Sequence, residues 1–215
     1  MITTIIFDMN GVITDDEEIH EVATQEVFNS IGINLTSDIY RELCLGRTDL
    51  ASFKDLIKYY KVRDQNMEEL IASKSSKYQK LIQGNLKVYP GVLTLIKKLY
   101  QKYTLALTSS STFEEVYSVV DQLNIKKYFQ VIVTSKDVIH GKPDPEPYFL
   151  TVKKLKVKYE NCLVLEDSEN GVQSAISAGM KCIAISNTEA PVKLKKASKI
   201  IDSYSILTDT FIQNV

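Results

Sequence analysis

The sequence predicts an α/β fold: a parallel sheet core with an all-helical segment inserted after the first strand. Three observations carry that expectation. A β-branched and aromatic run, ITTIIF at residues 2–7, opens the chain without helical spacing. Helical apolar spacing then fills residues 17–83, with no strand-like run among them. From residue 88 onward, short apolar runs alternate with helix-length amphipathic segments, the pattern of βαβ units in a sheet covered on both faces.

Local signals place each element. Ile19, Val22, Ala23, Val27 and Ile31 form a one-sided stripe, and Gly32 supplies a stop. Thr36 or Ser37 can cap a short helix that ends before Gly46. Residues 50–60 repeat the apolar spacing, and Asn66 with Glu69 forms a capping pattern for a helix running to Ile82. Tyr59, Tyr60 and Tyr78 read as amphipathic packing. After VYPGV at 88–92, a helix near 92–102 precedes the strand YTLALTS, and a helix near 112–123 precedes FQVIVTS. A helix near 147–156 precedes CLVLED, and one near 170–178 precedes KCIAIS. The first strand joins the same sheet, which gives a core of residues 1–15 and 86–215 and a helical domain of residues 16–85.

The 215 residues, 44% hydrophobic and 25% charged, suit a soluble globular chain of one domain with an insertion. A net charge of −1 gives no electrostatic reason to expect nucleic acid or an anionic membrane as partner. No apolar tract approaches the roughly 18–20 residues a membrane span needs. MITTIIFD lacks the basic and apolar parts of a signal peptide. Cys44, Cys162 and Cys182 have no metal-ligand spacing and read as small buried side chains, so a reducing cytoplasm is the expected setting.

In open α/β sheets, ligands bind beyond the carboxyl ends of the strands. Asp8 follows ITTIIF, Thr108 to Ser111 follow TLAL, and Glu166 and Asp167 follow CLVL. Lys142, in GKPDPEPY, comes soon after FQVIVTS. The fold would gather these residues from distant parts of the chain, and their chemistry is coherent. A carboxylate can attack phosphorus and carry an aspartyl-phosphate, while Lys142 supplies fixed positive charge. Asp8, Glu166 and Asp167 offer hard oxygens to Mg²⁺. Ser109 and Ser110, at a helix start, offer hydroxyls and N–H groups to phosphate oxygens. Taken singly, each has a plainer reading: a turn residue for Asp8, helix caps for the serines, a solvated loop for the acidic pair, a surface lysine for Lys142.

FDMNGVITDDE, LALTSSS, GKPDPEPY and LVLEDSENGVQSAISAGM, in that order, resemble the four motifs of the haloacid dehalogenase (HAD) superfamily, in particular its phosphatase and β-phosphoglucomutase-like branch. The resemblance spans nearly the whole chain and implies a Rossmann-like core with an all-α cap domain after the first motif. It implies that Asp8 is the nucleophile, and that the backbone carbonyl of Asn10 joins Asp8, Glu166 and Asp167 around Mg²⁺. It further implies that Ser109 binds the transferring phosphate, with Ser110 beside it, and that Lys142 bridges phosphate and nucleophile. In the cap it points to His20, to Arg47 in LGRTD and to Lys74 as substrate contacts, where residue type alone leaves a solvated surface group open. His140 caps or lines the GKPDP loop.

Position 10 departs from that branch, whose phosphatases and mutases carry an aspartic acid there. The acid protonates the leaving oxygen and then activates the attacking water or alcohol. A carboxamide cannot donate and recover a proton in this way, and losing such a group typically costs about 10²–10⁴ in rate. Asn10 is isosteric and the implied metal contact is main-chain, so binding should survive. The expected function is a Mg²⁺-dependent phosphatase of small phosphorylated metabolites such as sugar or polyol phosphates, acting as a monomer, with activated leaving groups favoured. Two rivals stand beside it. One is a β-phosphoglucomutase-like phosphotransferase, disfavoured because Asp49 stands where an arginine should grip a second phosphate. The other is a phosphometabolite-binding protein without turnover.

Overall fold

In the computed structural model, which describes residues 1–62 and 65–215, strand β1 (Thr4–Phe7) pairs in parallel on both sides. On one side lie β2 (Thr104–Thr108) and β3 (Val131–Val133). On the other lie β4 (Cys162–Glu166), β5 (Lys181–Ile185) and β6 (Lys199–Ile201). The order β3-β2-β1-β4-β5-β6 reverses direction beside β1, so β1 and β4 flank the switch point where ligands bind in such sheets. Side chains alternate between faces: Ile5, Phe7, Leu107 and Leu165 enter one apolar cluster, and Ile6, Ala106, Val164 and Cys182 the other. Burial on both faces explains why these strands read as unbroken apolar runs.

Between β1 and β2 the chain leaves the sheet and forms α1 (Glu17–Ser30), α2 (Ser37–Leu43), α3 (Asp49–Tyr60) and α4 (Met67–Leu81). They enclose an apolar cluster of their own, built from residues such as Val27, Phe28, Tyr40, Phe53, Leu56 and Leu70. The Asn66 side chain accepts from the N–H groups of Glu68 and Glu69 at the start of α4, and Thr48 accepts from Ala51 at the start of α3. Thr36 precedes α2 without a side-chain cap bond. Arg63 and Asp64 fall within the stretch expected to be helical and lie outside the described residues.

The buried face of α1 consists of His20, Ala23, Thr24, Val27 and Phe28, and Val22 is exposed. The expected apolar stripe is therefore rotated, because α1 packs on α4 and also turns polar residues inward toward the core domain. Packing holds for Tyr78, which is fully buried, and fails for Tyr59, which remains 55% exposed. The two passages between core and insertion run side by side. Asp15 N–H donates to Lys87 O at 3.0 Å and Tyr89 N–H to Ile13 O at 3.1 Å, so two adjacent segments make the connection.

Helices α5 (Val92–Tyr100), α6 (Phe113–Gln122), α7 (Glu146–Leu155) and α8 (Glu169–Ser177) alternate with the later strands as expected. The sequence reading places nothing after residue 186, and the structure adds β6 and α9 (Asp209–Gln213). Both are too short to display a period. All three cysteines are buried and free. Among the described residues no helix is long and apolar enough to cross a membrane.

Phe53 meets the edge of Phe28 at a centroid distance of 5.0 Å in the centre of the helical cluster. Phe53→Ala is expected to cost about 3–5 kcal/mol in denaturant unfolding. A loss below about 1 kcal/mol would contradict the place given to this cluster.

Candidate active site

Register brings the first two carboxylates together. Phe7 lies opposite Leu165, and Asp8 N–H donates to Leu165 O at 2.9 Å, so Asp8 leaves β1 level with Glu166 at the end of β4. Lys142 Nζ then donates to Asp8 Oδ1 at 2.6 Å, to Glu166 Oε1 at 2.5 Å and to the Thr108 carbonyl at 3.3 Å. Glu166 is held from every side: Tyr148 donates to Oε1, and the Asp167 and Ser168 N–H groups and the Ser168 hydroxyl donate to Oε2. Two glycines make room. A Cβ on Gly11, whose φ is +77°, would fall 1.8 Å from Asp167 Oδ2, and one on Gly171 would fall 1.8 Å from Glu166 Oε1.

Asp8, Glu166 and Asp167 each place an oxygen within 4.8 Å of the others, all three buried. Lys142 pairs with Asp8 and Glu166 while Asp167 adds a third carboxyl beside them, so the cluster carries excess negative charge when fully ionised. Burial, with the Glu166 charge beside it, raises Asp8 to about 7 against the opposing charge of Lys142. Burial, with the charges of Glu166 and Asp8, also raises Asp167 well above the usual carboxylate range. Hard oxygens, crowding and unbalanced charge fit a divalent cation such as Mg²⁺.

Across the site a second buried lysine, Lys74 of α4, bonds Asp49 at 3.1 Å, Glu115 of α6 at 3.0 Å and His20 Nδ1 at 2.8 Å. Burial and the neighbouring ammonium lower the His20 pKa, so its ring is neutral. With Nδ1 accepting from Lys74, the ring hydrogen sits on Nε2, 2.9 Å from Asn10 Nδ2, so two donors face each other. Asn10 Nδ2 also donates to the Asp16 carboxylate at 3.0 and 3.1 Å, while its oxygen accepts from Ser111 at 2.8 Å and Ser109 at 3.4 Å. Tyr78 stacks on His20 and donates to Asp16.

A cavity of about 50 Å³ lies between these two lysine clusters. Of the residues expected at the site, Asp8, Asn10, His20, Arg47, Lys74, Ser110, Lys142 and Asp167 line it. Ser109 and Glu166 stand behind the wall: Ser109 Oγ accepts from the Ser111 N–H, and Glu166 is held in place by Lys142 and Tyr148. Ser110 Oγ is buried without a hydrogen-bond partner among the described residues. Arg47 is tied to Asp55 at 2.7 Å and to the Leu43 carbonyl at 2.8 Å. His140 lies away from the cavity, on an exposed loop against Glu146.

Sequence reasoning missed Asp16, Glu17, Tyr78 as a polar group and Glu115, and it placed Ser111 at the strand end without a role of its own. Two signals were present. Tyr78 follows Lys74 by four residues, on the same helix face. Thr112 and Glu115 form a T-x-x-E capping box, whose glutamate caps α6 and also reaches Lys74.

Fold and site together describe an α/β protein whose carboxylate centre, at the switch point of a parallel sheet, is covered by a helical insertion. The chain belongs to the haloacid dehalogenase-like hydrolase family, which it matches over residues 5–185. A phosphorylated carbohydrates phosphatase of Thermotoga maritima is 33% identical over 180 residues, covering 83% of this chain and 82% of that protein. The β-phosphoglucomutase of Clostridium difficile superposes with a TM-score of 0.88 at 26% identity, over 100% of this chain and 96% of that one. An aspartate-to-asparagine mutant of CbbY from Rhodobacter sphaeroides, in complex with xylulose-(1,5)bisphosphate, superposes at 0.86 with 25% identity over 96% of both chains. The phosphatase relatives support a hydrolase of phosphate monoesters.

Burial raises Asp8, Glu17 and Glu115 each to about 7 in the folded chain, from 3.8, 4.5 and 4.5. Between those ordinary values and about 7 the unfolded chain has released protons that the folded chain retains, so stability falls as pH rises. With EDTA present, the Tm is expected to drop between about pH 5 and about pH 7.5. A Tm that climbs across that interval would contradict the burial of these carboxyls.

Proposed function

We propose that the protein is a Mg²⁺-dependent phosphatase of small phosphorylated metabolites, of the sugar or polyol phosphate class, acting through a phospho-Asp8 intermediate. In this reading residues 1–15 and 86–215 form the catalytic core, and residues 16–85 form a cap that opens and closes over the substrate. The observation that carries it is the Asp8 carboxylate, fixed by Lys142 at 2.6 Å on the wall of a cavity that also holds the unpartnered Ser110 hydroxyl. One wall offers a nucleophile, a fixed cation and a donor for phosphate oxygens.

The chemistry runs in two displacements. An Asp8 oxygen forms a bond to phosphorus as the ester P–O bond breaks and the leaving alkoxide takes the electron pair. Water then attacks the aspartyl-phosphate, releasing phosphate and restoring the carboxylate. Lys142 steadies Asp8 and the incoming phosphoryl charge, while Ser109 and Ser110 are assigned to its oxygens. Asp8, Glu166, Asp167 and the Asn10 backbone carbonyl would hold Mg²⁺, which supplies positive charge to the phosphoryl group. His20, Arg47 and Lys74 form the cap side of the substrate site. The cavity of about 50 Å³ is small for a sugar phosphate, and in this reading the cap opens to admit one.

Asn10 stands where the proton-transferring acid of this branch belongs, and the surroundings favour that acid. The His20 Nε2 hydrogen meets a donor where a carboxylate would accept it, and the buried Asp16 is already raised above its ordinary value by burial. A carboxyl introduced at position 10 would share that environment and hold a proton for the leaving oxygen. The CbbY mutant complex is in keeping with an amide-bearing site of this fold that retains its ligand.

Asn10→Asp is expected to raise phosphate release from an unactivated sugar phosphate by about 10²–10⁴, with Asp8→Ala inactive. Equal rates for the parent and Asn10→Asp would remove the role assigned to position 10. Ligand and Mg²⁺ binding without turnover in both would favour a binding protein instead.

A further inference from the structure

Glu17 stands at the mouth of the candidate site. Its Oε1 accepts from the Tyr40 hydroxyl at 2.7 Å, and both residues line the inner cavity and also an outer cleft of about 730 Å³. A leaving group too long for the inner cavity would extend past this pair toward the outer cleft.

The cations on the cap side are already committed. Lys74 hydrogen-bonds Asp49 and His20 and is ion-paired with Glu115 at 3.0 Å. Arg47 is held by Asp55 and the Leu43 carbonyl. Lys142, on the opposite wall, is bound to Asp8 and Glu166. Each cation lining the cavity is therefore paired within the protein, while Glu17 and Asp49 present carboxyls to the leaving-group end.

We infer that this wall selects phosphate monoesters whose leaving group carries hydroxyl or amino donors and no second anionic group, with Glu17 as the specificity-determining contact. The inference rests on the phosphatase reading above and adds the class of leaving group to it. A hydroxyl or ammonium finds acceptors in Glu17 and Asp49. A second phosphate would meet like charge without an available counter-ion, an arrangement that costs affinity.

The test is phosphate release with Mg²⁺ at about pH 8, where Glu17, raised to about 7 by burial, is ionised. The probes are fructose 6-phosphate, glucosamine 6-phosphate, fructose 1,6-bisphosphate and acetyl phosphate. The first two separate hydroxyl from amine recognition, and acetyl phosphate reports the phosphoryl chemistry without a sugar. The expected kcat/KM for the better monophosphate exceeds that for the bisphosphate by at least about tenfold. Glu17→Gln is expected to narrow this ratio at least about threefold, mainly through KM of the monophosphate. A variant damaged in folding lowers both rates together and leaves the ratio in place. If acetyl phosphate is hydrolysed but the bisphosphate matches both monophosphates, or the ratio survives in a Glu17→Gln variant that hydrolyses acetyl phosphate as fast as the parent, or neither sugar monophosphate reacts, the leaving-group inference is overturned alone. No phosphate from any of the four overturns the phosphatase reading and this inference with it.

Discussion

Lys142 holds Asp8 at 2.6 Å and Glu166 at 2.5 Å, at the edge of a sheet where neither carboxylate could be buried unpaired. Much of the local architecture exists to make that triad possible. Parallel register sets Asp8 level with Glu166, Tyr148 and the start of α8 supply the remaining donors, and Gly11 and Gly171 clear the space. One positive charge against three carboxyls still leaves a deficit. That deficit raises Asp8 and Asp167 and makes the cluster a fitting host for a divalent cation.

Lys74 repeats the motif on the other wall, between Asp49 and Glu115. Because Glu115 belongs to α6 and Lys74 to α4, this ion pair also joins the helical insertion to the sheet domain. Removing one partner of such a buried pair typically costs about 3–5 kcal/mol, so closure and charge balance are coupled. The cavity lies between two lysines that are each saturated by their own carboxylates. This explains how a chamber containing three cations can still be poor in available positive charge. Asn10 lies at the junction, touching His20 and Asp16 from the insertion side and Ser111 from the sheet side. An amide there preserves most of the hydrogen-bond geometry and removes the exchangeable proton.

The sheet was legible because buried parallel strands are apolar on both faces and are separated by helices of regular length. The four polar motifs could be assigned to one site because the carboxyl ends of β1, β2 and β4 must meet. What escaped has physical reasons. β6 is three residues long with Lys199 and Ile200 exposed, too short for any period to emerge. Tyr78 sits on an amphipathic helix, where an aromatic residue signals packing, and its hydroxyl is engaged by Asp16, 62 positions away. Glu115 satisfied a local rule as a capping residue, which hid its long-range bond to Lys74. The pairing of Arg47 with Asp55 depends on how α3 sits against the loop before it, and composition does not encode that.

The central claim is that Asp8 carries the phosphoryl group. The direct measurement is to mix the protein with acetyl phosphate and Mg²⁺, quench in acid, and locate any added phosphoryl group by peptide mass analysis. The account predicts a phosphoryl group on the peptide containing Asp8, accumulating because Asn10 slows its hydrolysis and shorter-lived in Asn10→Asp. Phosphate release with the label on another residue, or with no phospho-enzyme under single-turnover conditions, would contradict it.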